Sequence, residues 1–320
     1  MNRTAPAGAP ALKVAVMVPC YNEAVSIGSV VRDFREALPA ATVYVYDNNS
    51  SDETAAVARE AGAVVRRELL QGKGNVVRRM FGDIEADIYV LVDGDDTYHA
   101  ASAPRLIDTL LDDRLDMVVG ARVTDARAAY RLGHRFGNAM LTGLVGMIFG
   151  NRFRDMLSGY RVFSRRFVKS FPALSAGFEI ETELNVHALE LRMAIAEVDT
   201  PYKERPEGSV SKLSTFKDGW RILRTIAHLV KEERPQDFFG LGFLLLFTAS
   251  LAFGTPVILE FTRTGLVPRF PTAILATGLM LLAFLSLTSG LILDTVTTAR
   301  REVKRLAYLS HQAPRRPGEE

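Results

Sequence analysis

Residues 88–96 read Ile-Tyr-Val-Leu-Val-Asp-Gly-Asp-Asp, an apolar run of strand length that ends in three carboxylates. Asp93, Asp95 and Asp96 stand close together after the strand, and they repel one another unless a cation lies among them. Carboxylate oxygens in this arrangement suit Mg²⁺ or Mn²⁺, which can also bridge the phosphates of a substrate. An ordinary solvated Asp-Gly turn is the alternative, and this segment alone leaves it open.

The same succession of strand, polar turn and helix is repeated along the N-terminal part of the chain. Apolar or β-branched runs predict strands, and segments with helical periodicity lie between them. This alternation predicts an α/β domain with a mostly parallel sheet. Ligands of such sheets bind at the carboxyl ends of the strands, so the polar residues there are candidates for function. The predicted strands are 14–19, 42–46, 64–65, 88–92 and 117–120, and the predicted helices are 27–38, 53–61, 74–81 and 104–111.

Two further polar segments lie beside these elements. Residues 47–52, Asp-Asn-Asn-Ser-Ser-Asp, follow the second strand. Ser50 or Asp52 is expected to cap the next helix, which leaves Asp47 to accept hydrogen bonds from a base or a ribose. Residues 71–75, Gln-Gly-Lys-Gly-Asn, precede a helix and offer backbone N–H groups and one ammonium to a phosphate. The second segment is neither a dinucleotide fingerprint nor a Walker A loop, because the third glycine and the Ser/Thr after the lysine are missing.

Composition excludes several classes of partner and site. With 39 Lys and Arg against 37 Asp and Glu the formal charge is +2, so the overall balance predicts no nucleic-acid partner. Cys20 is the only cysteine, which excludes an internal disulfide and a cysteine-based metal cluster. The mean hydropathy of +0.08 is high for a soluble protein and indicates membrane segments.

Residues 238–259 and 270–293 carry no charged side chain, and each exceeds the roughly 20 apolar residues that cross a bilayer. We interpret them as a transmembrane hairpin rather than buried core helices, because neither shows the polar stripe of a helix packed on one face. The connection 260–269 is short, and Lys and Arg are more numerous on its outer flanks. The positive-inside rule then predicts a multi-pass protein of the cytoplasmic membrane with both termini in the cytoplasm. Residues 1–10 show no apolar core of a cleavable signal peptide.

Three segments allow two interpretations each. The helical stretch 215–235 is basic on one face and is expected to lie on anionic lipid, although an ordinary surface helix fits the same pattern. Residues 139–150 are apolar but too short to span a bilayer, so they either dip into the interface or form a core helix. Acidic residues alternate at 179, 181 and 183, which fits a strand edge or a helix start.

The predicted organisation is a flexible N-terminus at 1–12, the α/β domain at 13–214, the interfacial helix at 215–235, the hairpin at 238–293 and a basic cytoplasmic tail at 294–320.

Four short motifs occur in order in the predicted strand-end turns. They are Pro-Cys-Tyr-Asn-Glu at 19–23, Asp-Asn-Asn-Ser-Ser-Asp at 47–52, Gly-Lys-Gly-Asn at 72–75 and Asp-Gly-Asp-Asp at 93–96. Such an ordered set is far more specific than any one of its members. Together the motifs resemble the nucleotide-sugar-binding signature of the family 2 glycosyltransferases.

Later segments resemble the polyprenyl-phosphate branch of that family, the dolichol-phosphate mannose synthase-like enzymes. Val-Gly-Ala-Arg at 119–122 resembles the branch's Gly-x-Arg, and Arg131 with Arg135 resembles its basic acceptor pair. Residues 155–161, Asp-Met-Leu-Ser-Gly-Tyr-Arg, resemble its D-x-x-S-G-[FY] segment, and 205–213 resemble its R-x-x-G-x-S-K-L loop with one residue more. No Q-x-x-R-W motif occurs, which argues against the processive cellulose- or hyaluronan-synthase branch.

One motif departs from the pattern of the branch. Asp-Gly-Asp-Asp-Thr at 93–97 stands where the dolichol-phosphate mannose enzymes typically show D-A-D-L-Q. Thr97 replaces a glutamine that helps to hold the metal in those enzymes. The resemblance therefore leaves the role of this position and the identity of the sugar open.

The resemblance implies a nucleotide-binding α/β domain of the GT-A type and a role for each matching residue. Asp93 and Asp95 would hold Mg²⁺ or Mn²⁺ on the donor diphosphate. Asp95, Arg122 and Asp155 are the candidate catalytic residues, and Asp155 either orients an arginine or acts as a base. The candidate substrate-binding residues are Pro19, Tyr21, Glu23, Asp47, Asn48, Lys73, Arg131, Arg135, Ser158, Arg205 and Lys212.

The implied reaction is the inverting transfer of a sugar from a nucleotide-diphosphate sugar to a polyprenyl phosphate, undecaprenyl or dolichyl, at the cytoplasmic face of the membrane. Arg122, Arg131 and Arg135 would cradle the acceptor phosphate, although surface ion pairs explain them equally well. A lipid phosphate has its second pKa at about 6 and needs no general base. Two alternatives stay open: transfer to a lipid hydroxyl, with Asp155 as the base, and a catalytically silent membrane scaffold. The oligomeric state is also open, a homo-oligomer included.

Overall fold

The structure is a computed structural model that describes residues 12–123, 153–174, 177, 179–203, 231 and 234–317. The chain divides into two compact units. The first comprises Met1–Gly219 together with Lys304–Glu320, and the second comprises Trp220–Val303. The last residues of the chain, expected in a separate basic tail, therefore belong to the first unit.

The first unit is built on a seven-stranded sheet with the order β3-β2-β1-β4-β6-β5-β7. Neighbouring strands are parallel except around β6, which is antiparallel to both β4 and β5. The mostly parallel sheet that the sequence predicts is therefore confirmed. The strands are β1 (Val14–Cys20), β2 (Thr42–Asp47), β3 (Val64–Arg67), β4 (Ile88–Leu91), β5 (Met117–Val123), β6 (Arg161–Ser164) and β7 (Ile195–Pro201).

Amphipathic helices cover the sheet. In the first of them, Ile27, Val30, Val31 and Phe34 recur at helical spacing and are buried. Burial of this apolar stripe, at roughly 25 cal/mol per Å², holds the helix on the sheet. The described helices of this unit are α1 (Ile27–Ala37), α2 (Thr54–Glu60), α3 (Lys73–Asp83), α4 (Ala103–Asp112), α5 (Arg165–Ser170) and α6 (Ile180–Glu190).

The register of the central strands brings three of the polar turns together. Met17 of β1 lies opposite Leu91 of β4, and Cys20 of β1 lies opposite Asp47 of β2. Because these strands are parallel, the turns after β1, β2 and β4 leave the sheet at the same edge.

The antiparallel strand β6 brings a fourth segment to that edge. Arg161, its first residue, lies opposite Leu91 of β4 and Val119 of β5. The amino end of β6 therefore lies where β4 ends, beside the middle of β5. The preceding residues 155–160 are thus next to the turn that carries Asp93 and Asp95.

The C-terminal residues of the first unit are attached to its surface by specific contacts. The Tyr308 hydroxyl donates to Asp116 Oδ2 at 3.0 Å, and the Arg166 guanidinium lies over the Tyr308 ring, 4.7 Å from its centroid. Lys304 Nζ lies 2.6 Å from Glu190 Oε2, whose side chain is fully buried. These contacts make the segment a structural part of the unit.

The second unit contains α7 (Pro235–Thr264) and most of α8 (Phe270–Leu309). Each helix includes a stretch with a mean hydropathy of 2.0, and only 11% of that stretch is buried. The core helix of a soluble protein would be mostly buried. Both helices are long and apolar enough to cross a membrane, as the sequence predicts.

Small and hydroxyl side chains join the two long helices. The Ser250 hydroxyl donates to the Ala276 carbonyl oxygen at 2.7 Å, and the Ser286 hydroxyl donates to the Phe239 carbonyl oxygen at 2.8 Å. Phe239, early in the first long helix, meets Ser286, and Ser250, later in that helix, meets Ala276. The order of contacts is therefore reversed along the second helix, and the two helices are antiparallel. Such hydrogen bonds are typical of helix contacts in membranes.

Candidate active site

The Asp-Gly-Asp-Asp turn follows β4 directly. Asp95 is buried, and its Oδ1 accepts hydrogen bonds from the Thr97 hydroxyl at 2.6 Å and from the Thr97 backbone N–H at 3.3 Å. A Cβ on Gly94 would lie 2.6 Å from Cys20 Sγ, so glycine lets this turn pack closely on the end of β1. Thr97, which stands where the resembling enzymes have glutamine, therefore orients the Asp95 carboxylate.

Asp93 lies against the Ser-Gly segment that precedes β6. A Cβ on Gly159 would collide with the Asp93 carboxylate, so the close approach requires glycine at this position. The Gly159 backbone N–H donates to the Tyr98 hydroxyl at 2.8 Å. The two motifs, far apart in the sequence, thus form one surface.

Lys73, the first residue of α3, reaches into the same place. Its Nζ lies 2.5 Å from Asp93 Oδ1 and 2.5 Å from Glu181 Oε1. Burial alone would lower the pKa of Lys73, but the negative charges of Asp93 and Glu181 raise it well above its usual value. The ammonium therefore keeps its positive charge at neutral pH and neutralises part of the acidic turn.

The turn after β1 is tied to the turn after β2. The Asn22 backbone N–H donates to the Ser50 hydroxyl at 2.9 Å, and Asn22 Oδ1 accepts from the Ser51 backbone N–H at 2.8 Å. The Glu23 backbone N–H donates to the Thr54 hydroxyl at 2.8 Å. The residues predicted to bind the nucleoside are thereby held in one place.

Asn48 orders the loop that leads to α3. Its Nδ2 donates to the carbonyl oxygens of Glu68 and Leu70 at 3.0 and 2.8 Å, and its Oδ1 accepts from the Gly72 backbone N–H at 2.7 Å. The side chain is buried and satisfied within the protein. These hydrogen bonds position the loop, and a contact of Asn48 with a nucleoside stays a prediction.

Arg122 and Asp155 form a two-pronged ion pair at the end of β5. Arg122 Nε donates to Asp155 Oδ2 and Nη2 donates to Oδ1, each at 2.7 Å. The side chains are 16% and 11% exposed. Burial would raise the pKa of Asp155, but the hydrogen bonds and charge of Arg122 hold it below its usual value. Of the two roles that the sequence leaves open for Asp155, this geometry fits the orientation of an arginine.

Two tyrosines connect the arginine pair with the acidic turn. The Arg122 guanidinium lies 5.5 Å from the centroid of the Tyr202 ring, and the Tyr202 and Tyr98 rings pack edge to face at 5.3 Å. Tyr98 in turn accepts the hydrogen bond from Gly159, which abuts Asp93. The structure therefore brings Arg122 and Asp155 into the same site as Asp93 and Asp95.

A buried arginine shapes the loop between Asp155 and β6. Arg161 is fully buried, and its guanidinium donates to the carbonyl oxygens of Ser158 and Met156 and to Asn185 Oδ1 at 2.6–2.9 Å. The Ser158 hydroxyl donates to the Gly120 carbonyl oxygen at 2.6 Å, and its predicted contact with substrate stays a prediction. Both side chains are thus engaged in holding the loop.

The other predicted site residues divide into two groups. Pro19, near the end of β1, pairs with Tyr46 of β2, and Tyr21 in the following turn is 37% exposed. Asp47 is buried beside the Ser50 backbone N–H. The remaining predicted residues, and two segments that allow an interfacial interpretation, lie outside the described residues: Arg131, Arg135, Arg205, Lys212, residues 139–150 and almost all of 215–235.

Sequence reasoning did not assign three residues of the site. Glu181 meets Lys73, and Tyr98 and Tyr202 link the two halves of the site. The alternation of acidic residues at 179, 181 and 183 was the only feature of the sequence that pointed to Glu181. In the structure Glu181 lies in the first turn of α6. Tyr98 could have been suspected from its place directly after the acidic turn.

The acidic turn suits a divalent ion that takes some of its ligands from the protein and the others from a substrate. Among the described residues, no group of three or more His, Cys, Asp or Glu side chains forms a closed metal cage. Mg²⁺ commonly binds through one or two carboxylates, with substrate phosphates supplying further oxygens. Asp93 and Asp95 provide such a pair, and the hydroxyl of Thr97 keeps one of them oriented.

Comparison with known proteins agrees with this geometry. The Glycosyl transferase family 2 model matches residues 15–170. Glycosyltransferase AglJ of Haloferax volcanii is 34% identical over 309 residues, which cover 92% of this chain and 98% of AglJ. The dolichyl-phosphate hexose transferase of the same organism is 30% identical over 221 residues, 69% of this chain and 95% of that protein.

A solved structure has the same fold as the catalytic part. Glucosyl-3-phosphoglycerate synthase from Mycobacterium tuberculosis, in complex with Mn²⁺, uridine diphosphate and glucosyl-3-phosphoglycerate, superposes with a TM-score of 0.54 at 24% identity. The match covers 69% of this chain and 79% of that one. With the full-length similarity to AglJ, these findings show that the chain belongs to glycosyl transferase family 2 and has a GT-A-like α/β fold.

Proposed function

We propose that this glycosyltransferase transfers a hexose from a nucleotide-diphosphate sugar to a polyprenyl phosphate, with inversion at the anomeric carbon. An oxygen of the lipid phosphate attacks the anomeric carbon, and the bond from that carbon to the nucleoside diphosphate breaks. The nucleoside diphosphate leaves with the electron pair. One displacement of this kind inverts the configuration.

The donor side of the proposal uses the acidic turn. Asp93 and Asp95 would hold Mg²⁺ or Mn²⁺, which when bound offsets the negative charge that develops on the leaving diphosphate. The Mn²⁺ and uridine diphosphate named with the mycobacterial structure support this assignment. Tyr21, Glu23 and Asp47 line the adjoining turns, where they would contact the nucleoside. Lys73 would donate charge-assisted hydrogen bonds to the diphosphate.

The acceptor side rests on one observation, the ion pair of Arg122 with Asp155. Both oxygens of the Asp155 carboxylate are taken by the guanidinium, which holds the pKa of Asp155 low despite its burial. A carboxylate in this state is a poor proton acceptor. A lipid hydroxyl would need such an acceptor, whereas a phosphate is already an anion at neutral pH. The fixed guanidinium of Arg122 is suited to orient a phosphate.

Membrane attachment agrees with a lipid acceptor. Two helices long and apolar enough to cross a bilayer follow the catalytic part of the chain. The relative from Haloferax volcanii is named for a dolichyl phosphate acceptor. We infer a multi-pass protein with the active site and both termini in the cytoplasm, as the excess of Lys and Arg outside the helix connection predicts.

The experiment uses the full-length protein in detergent, a panel of labelled nucleotide sugars, and Mg²⁺ or Mn²⁺. Undecaprenyl phosphate is the acceptor, and undecaprenol is the matched control that lacks only the phosphate. The proposal predicts an acid-labile labelled lipid with the phosphate and none with the alcohol. Equal labelling of the alcohol would favour the hydroxyl alternative. Lack of turnover with every donor and both acceptors would favour the silent scaffold.

A further inference from the structure

The ammonium group of Lys73 lies where two acidic side chains converge. Its Nζ is in contact with Asp93 Oδ1 and Glu181 Oε1, each at 2.5 Å. Lys73 and Glu181 are buried, with side chains 9% and 8% exposed. The attraction between opposite charges is strong where water is excluded. In this state Lys73 is the counter-ion of Asp93.

This pairing competes with metal binding at the same carboxylate. An ammonium in contact with Asp93 repels a divalent ion that approaches the Asp93 oxygens, because both are cations within a few ångströms of each other. Binding of a metal ion to Asp93 Oδ1 therefore requires the ammonium to move away from that oxygen. The Asp95 carboxylate is oriented by a neutral group, because the hydroxyl of Thr97 donates a hydrogen bond to it.

Glu181 can accept a further hydrogen bond from the Lys73 ammonium when the ammonium leaves Asp93. Its second oxygen, Oε2, is buried and has no hydrogen-bond partner within the described part of the protein. A buried acceptor left unpaired is costly, and an ammonium has three N–H donors. A small rotation of the Lys73 side chain would give it both oxygens of Glu181 as it leaves Asp93. The remaining donor would then be available to a phosphate.

We propose that Lys73 is a built-in counter-ion that neutralises Asp93 until the metal-bound donor arrives, and that Glu181 is the positioning residue that receives Lys73 when the metal displaces it. This inference rests on the proposed function, because it takes Asp93 and Asp95 as the residues that hold the metal on the donor diphosphate. Lys73 then serves two successive partners, Asp93 in the empty site and the diphosphate in the occupied one.

The test measures Mn²⁺ binding to the nucleotide-free, full-length protein by electron paramagnetic resonance. Lys73→Gln removes the competing charge and keeps hydrogen-bond donors, so Mn²⁺ is expected to bind about 10-fold more tightly, because one nearby unit charge is lost. Lys203→Met is the matched control, since Lys203 lies 3.4 Å from Asp96 and is exposed. It should change Mn²⁺ affinity about twofold at most. Unchanged or weaker Mn²⁺ binding by Lys73→Gln would overturn the counter-ion role.

A second variant tests Glu181, and its measurement in the parent background does not depend on the folding of Lys73→Gln. Glu181→Gln leaves Lys73 on Asp93 alone, so Mn²⁺ should bind several-fold more weakly, and Glu183→Gln two residues along should have little effect. In the Lys73→Gln background, Glu181→Gln should weaken Mn²⁺ binding less than in the parent protein. Equal weakening in both backgrounds would make Glu181 a direct metal contact and would overturn its positioning role.

These outcomes are separable from those of the proposed function. Mn²⁺ affinity is measured without lipid or sugar, so it does not depend on the acceptor. If Lys73→Gln tightens Mn²⁺ binding but no lipid-linked product forms, the counter-ion role stands and the polyprenyl phosphate assignment falls. If product forms and Mn²⁺ binding is unchanged, the assignment stands and the counter-ion role falls.

Discussion

Arg122 and Asp155 face each other through two hydrogen bonds of equal length, 2.7 Å from Nε to Oδ2 and 2.7 Å from Nη2 to Oδ1. A planar guanidinium and a carboxylate match each other in this geometry, and the pair is largely withdrawn from water. The consequence is a fixed cation at the carboxyl edge of the sheet. The proposed acceptor chemistry depends on this relationship.

Asp155→Asn should impair use of the lipid acceptor. The neutral amide can no longer hold both nitrogens of Arg122 by charge, so kcat/KM for polyprenyl phosphate is expected to fall about 10-fold or more, with donor KM changed much less. Asp199→Asn is the matched control, because Asp199 pairs with the exposed Arg154. Steady-state kinetics with each substrate varied in turn decide the point. A loss of the acidic limb of the pH–rate profile would instead identify Asp155 as a general base.

Asp95→Asn should remove most turnover. The substitution keeps the shape of the side chain but removes one of the two charges proposed to hold the metal, and we expect kcat to fall about 100-fold or more. The measurement is turnover as a function of Mg²⁺ and Mn²⁺ concentration. Near-normal activity at saturating Mg²⁺ would count against the assignment of the acidic turn.

Arg131→Ala should raise the KM for the lipid acceptor more than the KM for the sugar donor. Arg131 lies outside the described residues, so this prediction comes from the resemblance alone. A guanidinium that binds the acceptor phosphate contributes to that complex and not to the donor complex. If only the donor KM changed, the proposed phosphate cradle would be wrong.

His187 should make the stability of the catalytic unit fall in acid. It is buried against Phe167 and Phe171, and burial together with the charge of Lys304 lowers its pKa from 6.5 to about 3. Between these values the unfolded chain binds a proton that the folded protein excludes, so stability falls as the pH drops from 6.5 towards 3. Above pH 6.5 this contribution is fully retained.

The measurement is the midpoint of thermal unfolding at pH 5 and pH 7.5 in the parent protein and in His187→Gln. The variant loses packing at both pH values, but the difference between them should shrink to about half or less. His311→Gln is the control. An unchanged difference in His187→Gln would show that other groups cause the acid sensitivity.

The buried ion pair at the C-terminal segment should matter more than the exposed one. Lys304→Met removes the partner at 2.6 Å from the fully buried Glu190, and we expect a loss of about 3 kcal/mol. Arg316→Met removes contacts to Asp108 and Asp112, which are more than half exposed, and should cost less than about 1 kcal/mol. Chemical denaturation followed by fluorescence measures both. Equal losses would mean that burial does not decide the strength of these contacts.

Much of the fold could be predicted from the sequence, because its strands and helices have clear periodicity. The predicted strand 14–19 and helix 27–38 differ by a single residue from Val14–Cys20 and Ile27–Ala37. The strand β6 could not be predicted in the same way. It is short and begins with Arg161, whose burial is possible because two carbonyl oxygens of the preceding loop and the amide oxygen of Asn185 accept its hydrogen bonds.

The candidate site could be predicted in part. Parallel strands dictate that turns following them share an edge, and this placed Asp47 and Asp93 in one region. The contact between Lys73 and Glu181 joins residues 108 positions apart, so no local pattern could show it. Nor could the sequence distinguish the roles of Asp155, because that choice depends on the position of the Arg122 side chain.

The central claim is that the sugar becomes attached to the phosphate of a lipid. ³¹P NMR of the lipid recovered after reaction with undecaprenyl phosphate tests it most directly, since it reports the bonding of the acceptor phosphorus itself. We expect the phosphomonoester resonance to be converted into that of a sugar-bearing phosphodiester, and Asp95→Asn to leave it unconverted. A labelled lipid whose phosphorus remains a monoester would contradict the account.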